Sequence, residues 1–320
     1  MTISEPIRPM YGYYIGRALD EKIRIKSTSG GLGTAITKYL LSSLGFDTAL
    51  TFKFDKVKCK YVPYFIHNPE DINICGSVYQ DIDIPSFLRS HVHEIKKGVI
   101  VSAPPCQVPL VKKILKGTGF KSFVISFNCS GQTTIEGTWE YYKLLGIKKS
   151  QVVSLQYRGN GWPSGIQIEL KDGTRIYKEN WTSPWTVIQN SKLYTPKRCL
   201  LCRLDASYVA DISLGDPWLE EFLMSDKKGH TLLVINTDFG RQVIEEMAKH
   251  GQIHISQSNR SQYMLAQKDN VEKGFRVNNK RTTIILKMRN NKLYFYIASI
   301  NLFTLSLHIR LLKLINHFWD

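Results

Sequence analysis

The chain has 320 residues, of which 43% are hydrophobic and 22% charged, a balance typical of a folded globular protein rather than a disordered or membrane-embedded one. Lysine and arginine outnumber aspartate and glutamate by 43 to 27, which gives a formal net charge of +16. This charge points to an anionic partner: nucleic acid, a phosphorylated cofactor, an acidic protein or an anionic membrane surface. A basic protein without such a partner is the alternative.

The beginning of the chain has no apolar run after a basic start, so no secretory signal is predicted and we expect a cytoplasmic protein. Without a secretory signal, six cysteines in a chain of this length are expected to be reduced thiols, some of them able to bind metal, rather than a disulfide framework.

In the first part of the chain, Tyr11–Ile15 and Lys22–Lys26 are predicted as short strands. A flexible turn at Ser29-Gly30-Gly31 follows, and helical spacing runs from Thr34 to Gly45. Free backbone N–H groups at the start of this helix, with the hydroxyls of Ser27, Thr28 and Ser29 beside them, suit a phosphate group. An unliganded helix cap explains the same residues.

Two consecutive units of the chain share the order strand, cysteine, helix. A cysteine at such a junction has its thiolate favoured by the helix N-terminus. In an α/β fold both thiols would lie at one edge of the sheet, where such folds bind their ligands. Two separate buried thiols are the alternative. The first unit is the strand 98–103, Cys106 and the helix 108–116, and the second is the strand 122–127, Cys129 and the helix 135–145.

The loop of residues 157–163 joins a cation, Arg158, to an aromatic side chain, Trp162, which we expect to be exposed. Gly159 and Gly161 allow another backbone to approach closely.

The segment of residues 195–218 contains the chain's CxxC pair, Cys199 and Cys202, with Lys197, Arg198 and Arg203 as a basic rim. Fourteen residues after Cys202, Asp216 lies in a Gly-Asp-Pro turn that ends at Trp218. Thiols, cations and a fixed carboxylate together indicate a functional site rather than a part of the hydrophobic core.

The pattern as a whole predicts an α/β (mixed α+β) fold, with a central mixed sheet and flanking helices. We divide the chain into an N-terminal α/β part (1–95), a second α/β part (96–260) and a basic helical tail (261–320). Further strands are predicted over 48–54, 58–65, 152–156, 166–170, 174–178, 211–214 and 231–236, and further helices over 86–96 and 241–250.

The tail carries seven basic residues from Lys280 onward against one acid, Asp320. Within 293–319, one stripe of a largely apolar helix is polar and holds Ser306, Arg310, Lys313 and His317. Such a helix can dock on the body of the protein, on a partner subunit or peripherally on anionic lipid. Polar residues interrupt its apolar run, which argues against a membrane span.

Four cysteines are therefore candidates for one shared site: Cys106, Cys129, Cys199 and Cys202. Four thiolates bind zinc or an iron–sulfur cluster equally well by ligand count, and unrelated free thiols are a third reading. The compact ferredoxin spacing is absent, as are HExxH, GxSxG, Walker A and GxGxxG motifs, which disfavours the common hydrolases and NTPases.

A series of blocks resembles one known family, the coenzyme F420 hydrogenase/dehydrogenase beta-subunit family. The blocks occur in the family's order and extend from about residue 10 to residue 285. They are STSGGLGTAITKYLL (27–41), SAPPCQVPLVKKIL (102–115), FNCSGQTTIEGTW (127–139), QYRGNGW (156–162), RCLLC (198–202), ADISLGDPW (210–218) and GHTLLVINTDFG (229–240).

The resemblance implies an iron–sulfur flavoprotein oxidoreductase that passes electrons between FAD and a second carrier, which is the deazaflavin F420 in the name-giving members. Relatives act on other acceptors, including a chlorophyll intermediate, and bacterial members often occur among polysaccharide-synthesis genes. The resemblance assigns FAD to the Ser29-Gly30-Gly31 turn with Thr28 and Thr34. It places Arg158 and Trp162 on the flavin or substrate side of this cofactor site, with Asp216 fixing the neighbouring loop. It assigns a [4Fe-4S] cluster to Cys106, Cys129, Cys199 and Cys202.

Two departures from the family pattern affect these expectations. A Cys-His-Gly block is Cys129-Ser130-Gly131 here, so a histidine that could tune the cluster or move a proton is missing. The two-cluster ferredoxin module that precedes the blocks in many relatives is also missing. We therefore expect an external redox partner, either a ferredoxin-like donor or a partner subunit, together with a small-molecule substrate.

Two other classes of function remain open on the sequence. A basic nucleic-acid-binding protein with a structural zinc would explain the charge and the thiols, but no nucleic-acid-binding motif occurs, so we expect no nucleic acid. A non-catalytic relative that serves as a scaffold is the other.

Overall fold

The computed structural model describes residues 11–272, which form a large mixed sheet, a small antiparallel sheet and helices around them. The strands are β1 (Tyr13–Ala18), β2 (Thr48–Asp55), β3 (Lys60–Ile66), β4 (Gly98–Ser102), β5 (Lys121–Phe127), β6 (Val152–Gln156), β7 (Gly165–Leu170), β8 (Arg175–Glu179), β9 (Ile212–Gly215), β10 (Thr231–Ile235) and β11 (Ile253–Gln257).

The helices fill the connections between the strands. They are α1 (Glu21–Lys26), α2 (Leu32–Ser43), α3 (Ile84–His91), α4 (Val108–Lys116), α5 (Ile135–Leu144), α6 (Trp185–Ser191), α7 (Lys197–Leu200), α8 (Glu220–Ser225), α9 (Asp238–Lys249), α10 (Arg260–Ala266) and α11 (Lys268–Val271), with short 3-10 turns at Pro69–Asp71, Val92–Glu94 and Lys149–Gln151.

The large sheet has eight strands in the order β11-β1-β10-β9-β5-β4-β2-β3. Its four consecutive strands β2, β4, β5 and β9 run parallel, and the flanking strands pair antiparallel. The second sheet, β6-β7-β8, is antiparallel. The predicted mixed sheet with flanking helices is confirmed, and the large sheet takes strands from both of the first two predicted parts of the chain.

Alternate residues of the central strands pack into two apolar cores on opposite faces of the sheet. Val99 and Val124 belong to the core that also holds α4, α5 and the small sheet. Ile100 and Phe123, their neighbours along the strands, belong to the core that holds α2 and α9. Helices therefore cover both faces, so the two faces are closed and the ends of the parallel strands form the open edge.

Most of the predicted elements are confirmed, and β6 and α4 have the predicted bounds. The prediction of a strand over Lys22–Lys26 is wrong, because this segment forms most of α1. Its alternating Lys-Ile-Arg-Ile-Lys pattern imitates a strand, but Asp20 caps the helix by accepting hydrogen bonds from the backbone N–H groups of Lys22 and Ile23. The sequence did not predict α7, α8 and β11, whereas α10 and α11 lie at the start of the predicted helical tail.

The predicted tail lies largely outside the described residues, including the amphipathic segment 293–319. Its first residues pack against the body of the protein: Tyr263, in α10, is buried in one apolar cluster with Ile15 and Leu232. Within residues 11–272, no helix has both the length and the apolar character that a membrane crossing requires.

The amino ends of β2 and β4 are joined through one half-buried carboxylate. Asp47 accepts hydrogen bonds from the backbone N–H groups of Lys96, Lys97 and Gly98, at 3.0 to 3.2 Å. Burial acts to raise the pKa of Asp47, but the three N–H donors outweigh burial and lower it.

We expect the substitution Asp47→Asn to reduce the free energy of unfolding by about 1–2 kcal/mol at pH 7, because a charged acceptor of three N–H groups is lost. Since the pKa of Asp47 is lower in the folded than in the unfolded protein, this contribution is present at neutral pH and is lost as the pH falls through the folded pKa. Urea unfolding at pH 7 and at acid pH measures both effects.

Asp172→Asn is the control, because Asp172 accepts from one turn N–H group, that of Thr174, and should change stability less. Equal effects of the two substitutions, or a difference between wild type and Asp47→Asn that does not shrink in acid, would contradict the assignment.

Candidate functional site

Three adjacent parallel strands deliver site residues to one edge of the large sheet, which we call the carboxyl edge. Cys106 follows β4, Cys129 follows β5 and Asp216 follows β9. The register pairs Ser102 with Ile125 and Phe127 with Leu214, so the three strands end at nearly the same level. The prediction that Cys106 and Cys129 lie at one sheet edge is confirmed.

Buried polar contacts fix the loop that carries Cys106. The side chain of Gln107 accepts a hydrogen bond from the Ile84 backbone N–H at 3.0 Å and donates one to the Ile82 carbonyl oxygen at 2.8 Å. The Gln107 N–H donates to the Pro104 carbonyl oxygen, which closes the turn around Cys106. This cysteine is exposed at the surface of the turn.

The CxxC pair lies on α7 and the turn that follows it. The Cys199 N–H donates to the Pro196 carbonyl oxygen at 2.8 Å, and the Leu204 N–H lies 3.4 Å from the Cys202 sulfur. Just beyond the end of β5, the Cys129 N–H donates to the Asp205 carbonyl oxygen at 3.1 Å. The segment after the CxxC pair is thus hydrogen-bonded to the end of β5.

The four predicted thiols line one open recess, which we call the cysteine recess. Cys59 and Cys75 lie outside it, and none of the six cysteines forms a disulfide. Gly131, with a φ of +123°, brings the backbone close to Cys199. The lining consists of Pro104, Pro105, Cys106, Cys129, Ser130, Gly131, Gln132, Arg198, Cys199, Cys202 and Leu204.

The donor set has the chemistry that an iron–sulfur cluster requires, since four thiols line the recess. Within residues 11–272, no three His, Cys, Asp or Glu side chains are close enough together to hold one metal ion. Four thiols spread around a recess suit a cluster, because each thiolate then binds a different iron atom. Burial raises the pKa of the Cys199 thiol, while the Gln132 N–H and Arg198 act against it, so metal binding would displace its proton.

The second half of the carboxyl edge is built on a buried ion pair between Arg158 and Asp216. Nη1 of Arg158 donates to Asp216 Oδ2 at 2.5 Å, and Nη2 donates to the Thr28 carbonyl oxygen at 3.3 Å. The Arg158 side chain is 3% exposed and that of Asp216 14%. The guanidinium therefore joins the β9 turn to the segment before α2.

The prediction that Trp162 is exposed is wrong, because this residue is only 2% exposed. Its indole Nε1–H donates to Asp216 Oδ1 at 3.2 Å, and its ring stacks on Trp218 at 5.2 Å. Trp218 is only half-buried and also lies beside the Arg158 guanidinium, at 5.4 Å. The more accessible aromatic face at this edge is thus that of Trp218.

The prediction that the Ser29-Gly30-Gly31 turn is flexible is also wrong, because close packing fixes the turn in place. A Cβ on Gly30 would lie 2.6 Å from both the Gly16 carbonyl oxygen and the Thr231 nitrogen. The Gly30 carbonyl oxygen accepts from the Ala18 N–H at 2.7 Å. The turn is wedged between β1 and β10 and leads directly into α2, whose first turn contains the half-buried Thr34.

The two halves of the site adjoin at β5 and β9. Cys129 and Asp216 each lie two residues beyond the paired residues Phe127 and Leu214, on strands about 4.8 Å apart. Between them, Asn128 packs so tightly that a Cβ on Gly215 would meet its Oδ1 at 2.6 Å. The thiols and the Arg158–Asp216 pair therefore share one surface.

Three residues of this surface escaped the sequence reading. Gly76 presses against the Arg158 backbone, since its Cβ would lie 2.0 Å from the Arg158 carbonyl oxygen. Asp81 and Gln132 contact Arg198 beside the cysteine recess. Their partners are far away in sequence, so no local pattern could indicate them.

Two family models match the chain. Both describe the beta subunit of coenzyme F420 hydrogenase/dehydrogenase. The model of its N-terminal part matches residues 13–89, and the model of its C-terminal part matches residues 96–261. The chain belongs to this family. The resemblance drawn from the sequence blocks is confirmed.

Curated members of the F420 hydrogenase/dehydrogenase beta-subunit family are distant but extensive matches. The F420-dependent formate dehydrogenase subunit beta of Methanocaldococcus jannaschii is 23% identical over 287 residues, covering 86% of this chain and 66% of the relative. The F420-dependent formate dehydrogenase 1 subunit beta of Methanococcus maripaludis is 24% identical over 247 residues, covering 75% of this chain and 60% of the relative. The chain thus spans slightly less than two thirds of the length of these relatives.

A solved structure in the F420-reducing [NiFe] hydrogenase complex of Methanosarcina barkeri has the same fold. The superposition has a TM-score of 0.65 at 18% identity, and it covers 89% of this chain and 95% of that one. The names of these relatives refer to hydrogenases and formate dehydrogenases. The polysaccharide context suggested by the resemblance finds no support in them.

We expect Asp216→Ala to lower the free energy of unfolding by about 3–5 kcal/mol, because it leaves the Arg158 guanidinium buried without its counter-charge. Urea unfolding followed by tryptophan fluorescence measures the change.

The control is Glu169→Ala, which breaks the Arg175–Glu169 pair, in which the arginine side chain is 82% exposed. Exposed pairs contribute about 0–1 kcal/mol, so the control should leave the midpoint nearly unchanged. A similar decrease in the free energy of unfolding in both variants would mean that the burial of Arg158 does not determine how strongly Asp216→Ala destabilises the protein.

Proposed function

We propose that this chain is a redox subunit that holds FAD and a [4Fe-4S] cluster side by side at the carboxyl edge and exchanges electrons with a second carrier. The observation that supports this most strongly is the meeting of four thiols, from three separate segments, in one recess beside the Arg158–Asp216 pair. Family membership supports the redox class.

Cys106, Cys129, Cys199 and Cys202 would hold the cluster. When bound, the cluster supplies one-electron transfer and FAD supplies two-electron transfer, so the pair can couple the two kinds of carrier. The protein contributes the placement: Gln107 fixes the Cys106 loop, and the Cys129 N–H bond to Asp205 fixes the CxxC segment against β5. Cys106 at the surface gives electrons a short route from a docked partner.

FAD would bind between the Ser29-Gly30-Gly31 turn, with Thr28 and Thr34, and the loop of Arg158, Trp162 and Asp216. The first N–H groups of α2 have no intrahelical partner, and the helix N-terminus favours an anion such as the pyrophosphate. The Ser27 hydroxyl and Nε of Arg158 are buried without a hydrogen-bond partner among the described residues. Such groups are available to a ligand.

The rigidity of this loop system is itself a contribution to flavin binding. Gly30 and Gly76 are packed so closely that the turn and the Arg158 loop are positioned before any ligand arrives. Trp218, stacked on buried Trp162, would offer an aromatic face to the ring system of the flavin or of a second carrier.

The second carrier and the redox partner are inferred from the relatives. F420-dependent enzymes are the name-giving relatives, which makes a deazaflavin the first carrier to test. The relatives' membership of larger enzymes favours a partner subunit or a ferredoxin-like donor that docks near the cysteine recess. Ser130 stands where the family pattern has histidine, so a proton would have to be handled by another group.

A structural zinc in a nucleic-acid-binding protein is the competing reading of the thiols. Within residues 11–272 no three candidate ligands are grouped closely enough for one ion, which disfavours a single tetrahedral zinc. Purification without oxygen separates the readings, because a cluster and a flavin colour the protein and zinc does not.

We expect Cys199→Ser to lose most of the iron and acid-labile sulfide, and with them the broad visible absorption of the protein prepared without oxygen. The reason is that one of four ligands is removed from the cysteine recess. Iron and sulfide analysis with electron paramagnetic resonance of the reduced protein measures the loss.

Cys75→Ser is the matched control. Cys75 lies outside the recess, and burial raises the pKa of its thiol to about 12, so it is a poor source of thiolate. Retention of full iron by Cys199→Ser, or equal loss in both variants, would exclude the proposed ligand set.

We expect Trp218→Leu to weaken FAD binding about tenfold, because the aromatic face beside Arg158 is removed while the site stays apolar. Equilibrium dialysis against FAD measures the dissociation constant. Trp139→Leu is the control, since Trp139 lies on α5 and contacts Lys149 and Cys59 instead. If the two tryptophan variants bind FAD equally well, the flavin lies elsewhere.

A further inference from the structure

One cation lies on the wall of the cysteine recess. Arg198 precedes Cys199 in the chain, and its guanidinium is close enough to Cys106 and Cys199 to interact with both thiols. An arginine side chain stays protonated at every working pH, so it brings a permanent positive charge to the four sulfurs.

Arg198 is held in place by two residues from other segments. Its guanidinium makes a two-point ion pair with Asp81, of which one bond, Nη1 to Oδ2, measures 2.9 Å, and Nη2 also lies 3.5 Å from Gln132 Oε1. A two-point pair fixes the guanidinium in one plane as well as in one place. The arginine side chain is 45% exposed and that of Asp81 23%.

Asp81 owes its position to a backbone bridge. The Thr133 N–H donates to the Tyr79 carbonyl oxygen at 2.8 Å, and the Asp81 N–H donates to the Thr133 carbonyl oxygen at 2.9 Å. The side chain of Gln132 reaches across the same bridge to the Gln80 carbonyl oxygen at 3.2 Å. The bridge thus carries an acid from the N-terminal part of the chain to the rim of the recess.

This arrangement is more than an ion pair that stabilises the fold. Arg198 lines the recess, whereas Asp81 is not among the lining residues and pairs with the guanidinium from behind. The potential of an iron–sulfur cluster depends on the net charge around it and on hydrogen bonds to its sulfurs. One-electron reduction adds a negative charge to the recess, which a cation on the wall stabilises.

We propose that Arg198 sets the reduction potential of the cluster bound in the cysteine recess, and that Asp81 is the positioning residue that holds Arg198 there and offsets part of its charge. This inference rests on the proposed function, since it requires the cluster. Arg198 raises the potential and Asp81 lowers it, so their removal has opposite effects.

The test is a redox titration of the purified chain with dithionite as the electron source, followed by electron paramagnetic resonance. In Arg198→Gln we expect the ratio of reduced to oxidised cluster at a fixed potential to fall about tenfold, a shift of about 59 mV to lower potential for one electron. In Asp81→Asn the ratio should rise, because the amide oxygen still accepts from Arg198 while the counter-charge is gone.

Lys197→Gln is the matched control. It removes a cation one residue away in the chain that does not line the recess, and exposed charges are screened by salt. Its shift should be much smaller than that of Arg198→Gln. Arg198→Lys keeps the charge but not the two-point pair, so it should retain most of the wild-type potential.

Failure of the inference and failure of the proposed function look different. If the wild-type chain assembles no cluster, both fail. If the cluster is present and Arg198→Gln or Asp81→Asn leaves its potential unchanged, or both shift it in the same direction, only the inference is overturned. Should Arg198→Gln not fold, the upward shift in Asp81→Asn and the retained potential in Arg198→Lys decide the matter.

Discussion

The parallel pairing of β4, β5 and β9 is the constraint on which the rest of the site depends. Parallel strands in register end together, so residues far apart in sequence, such as Cys106, Cys129 and Asp216, reach one edge without any direct attraction between them. Helices cover both faces of the sheet and leave this edge open. The antiparallel partner β10 begins at this edge, where its first residue, Thr231, packs against Gly30 of the Ser29-Gly30-Gly31 turn.

The loops at this edge are held by polar contacts in places where an apolar core would stabilise the fold more cheaply. Burying Arg158 removes its hydration, and the loss is offset only because Asp216 and the Thr28 carbonyl accept from it together. Apolar side chains could fill the same space, but their contacts are not directional and would not fix the relative positions of three loops. The buried pair therefore contributes geometry, and the glycines at 30 and 76 let the backbones come close enough to use it.

The sequence predicted the features that depend on short-range patterns and missed those that depend on distant partners. The strand–cysteine–helix order around Cys106 and Cys129 is local, and it correctly placed both thiols at one edge. Trp162 was predicted to be an exposed loop aromatic, because its hydrogen-bond partner Asp216 is 54 residues away and gives no local signal. Asp81 gave no signal, since its bridge to Thr133 and its pair with Arg198, 117 residues away, exist only in the folded chain.

Both arginines of the site are paired with carboxylates, so neither accounts for the net charge of +16. Their environments nevertheless differ in a way that matters for function. The Arg158–Asp216 pair is buried and therefore hardly screened by salt, so salt changes its hold on the loops very little. The Arg198–Asp81 pair is partly exposed, and water and salt weaken its field on the cysteine recess. A docked partner would exclude that water and strengthen the field of Arg198 on the four sulfurs, so under the proposed function partner binding at this edge would raise the electron affinity of the recess.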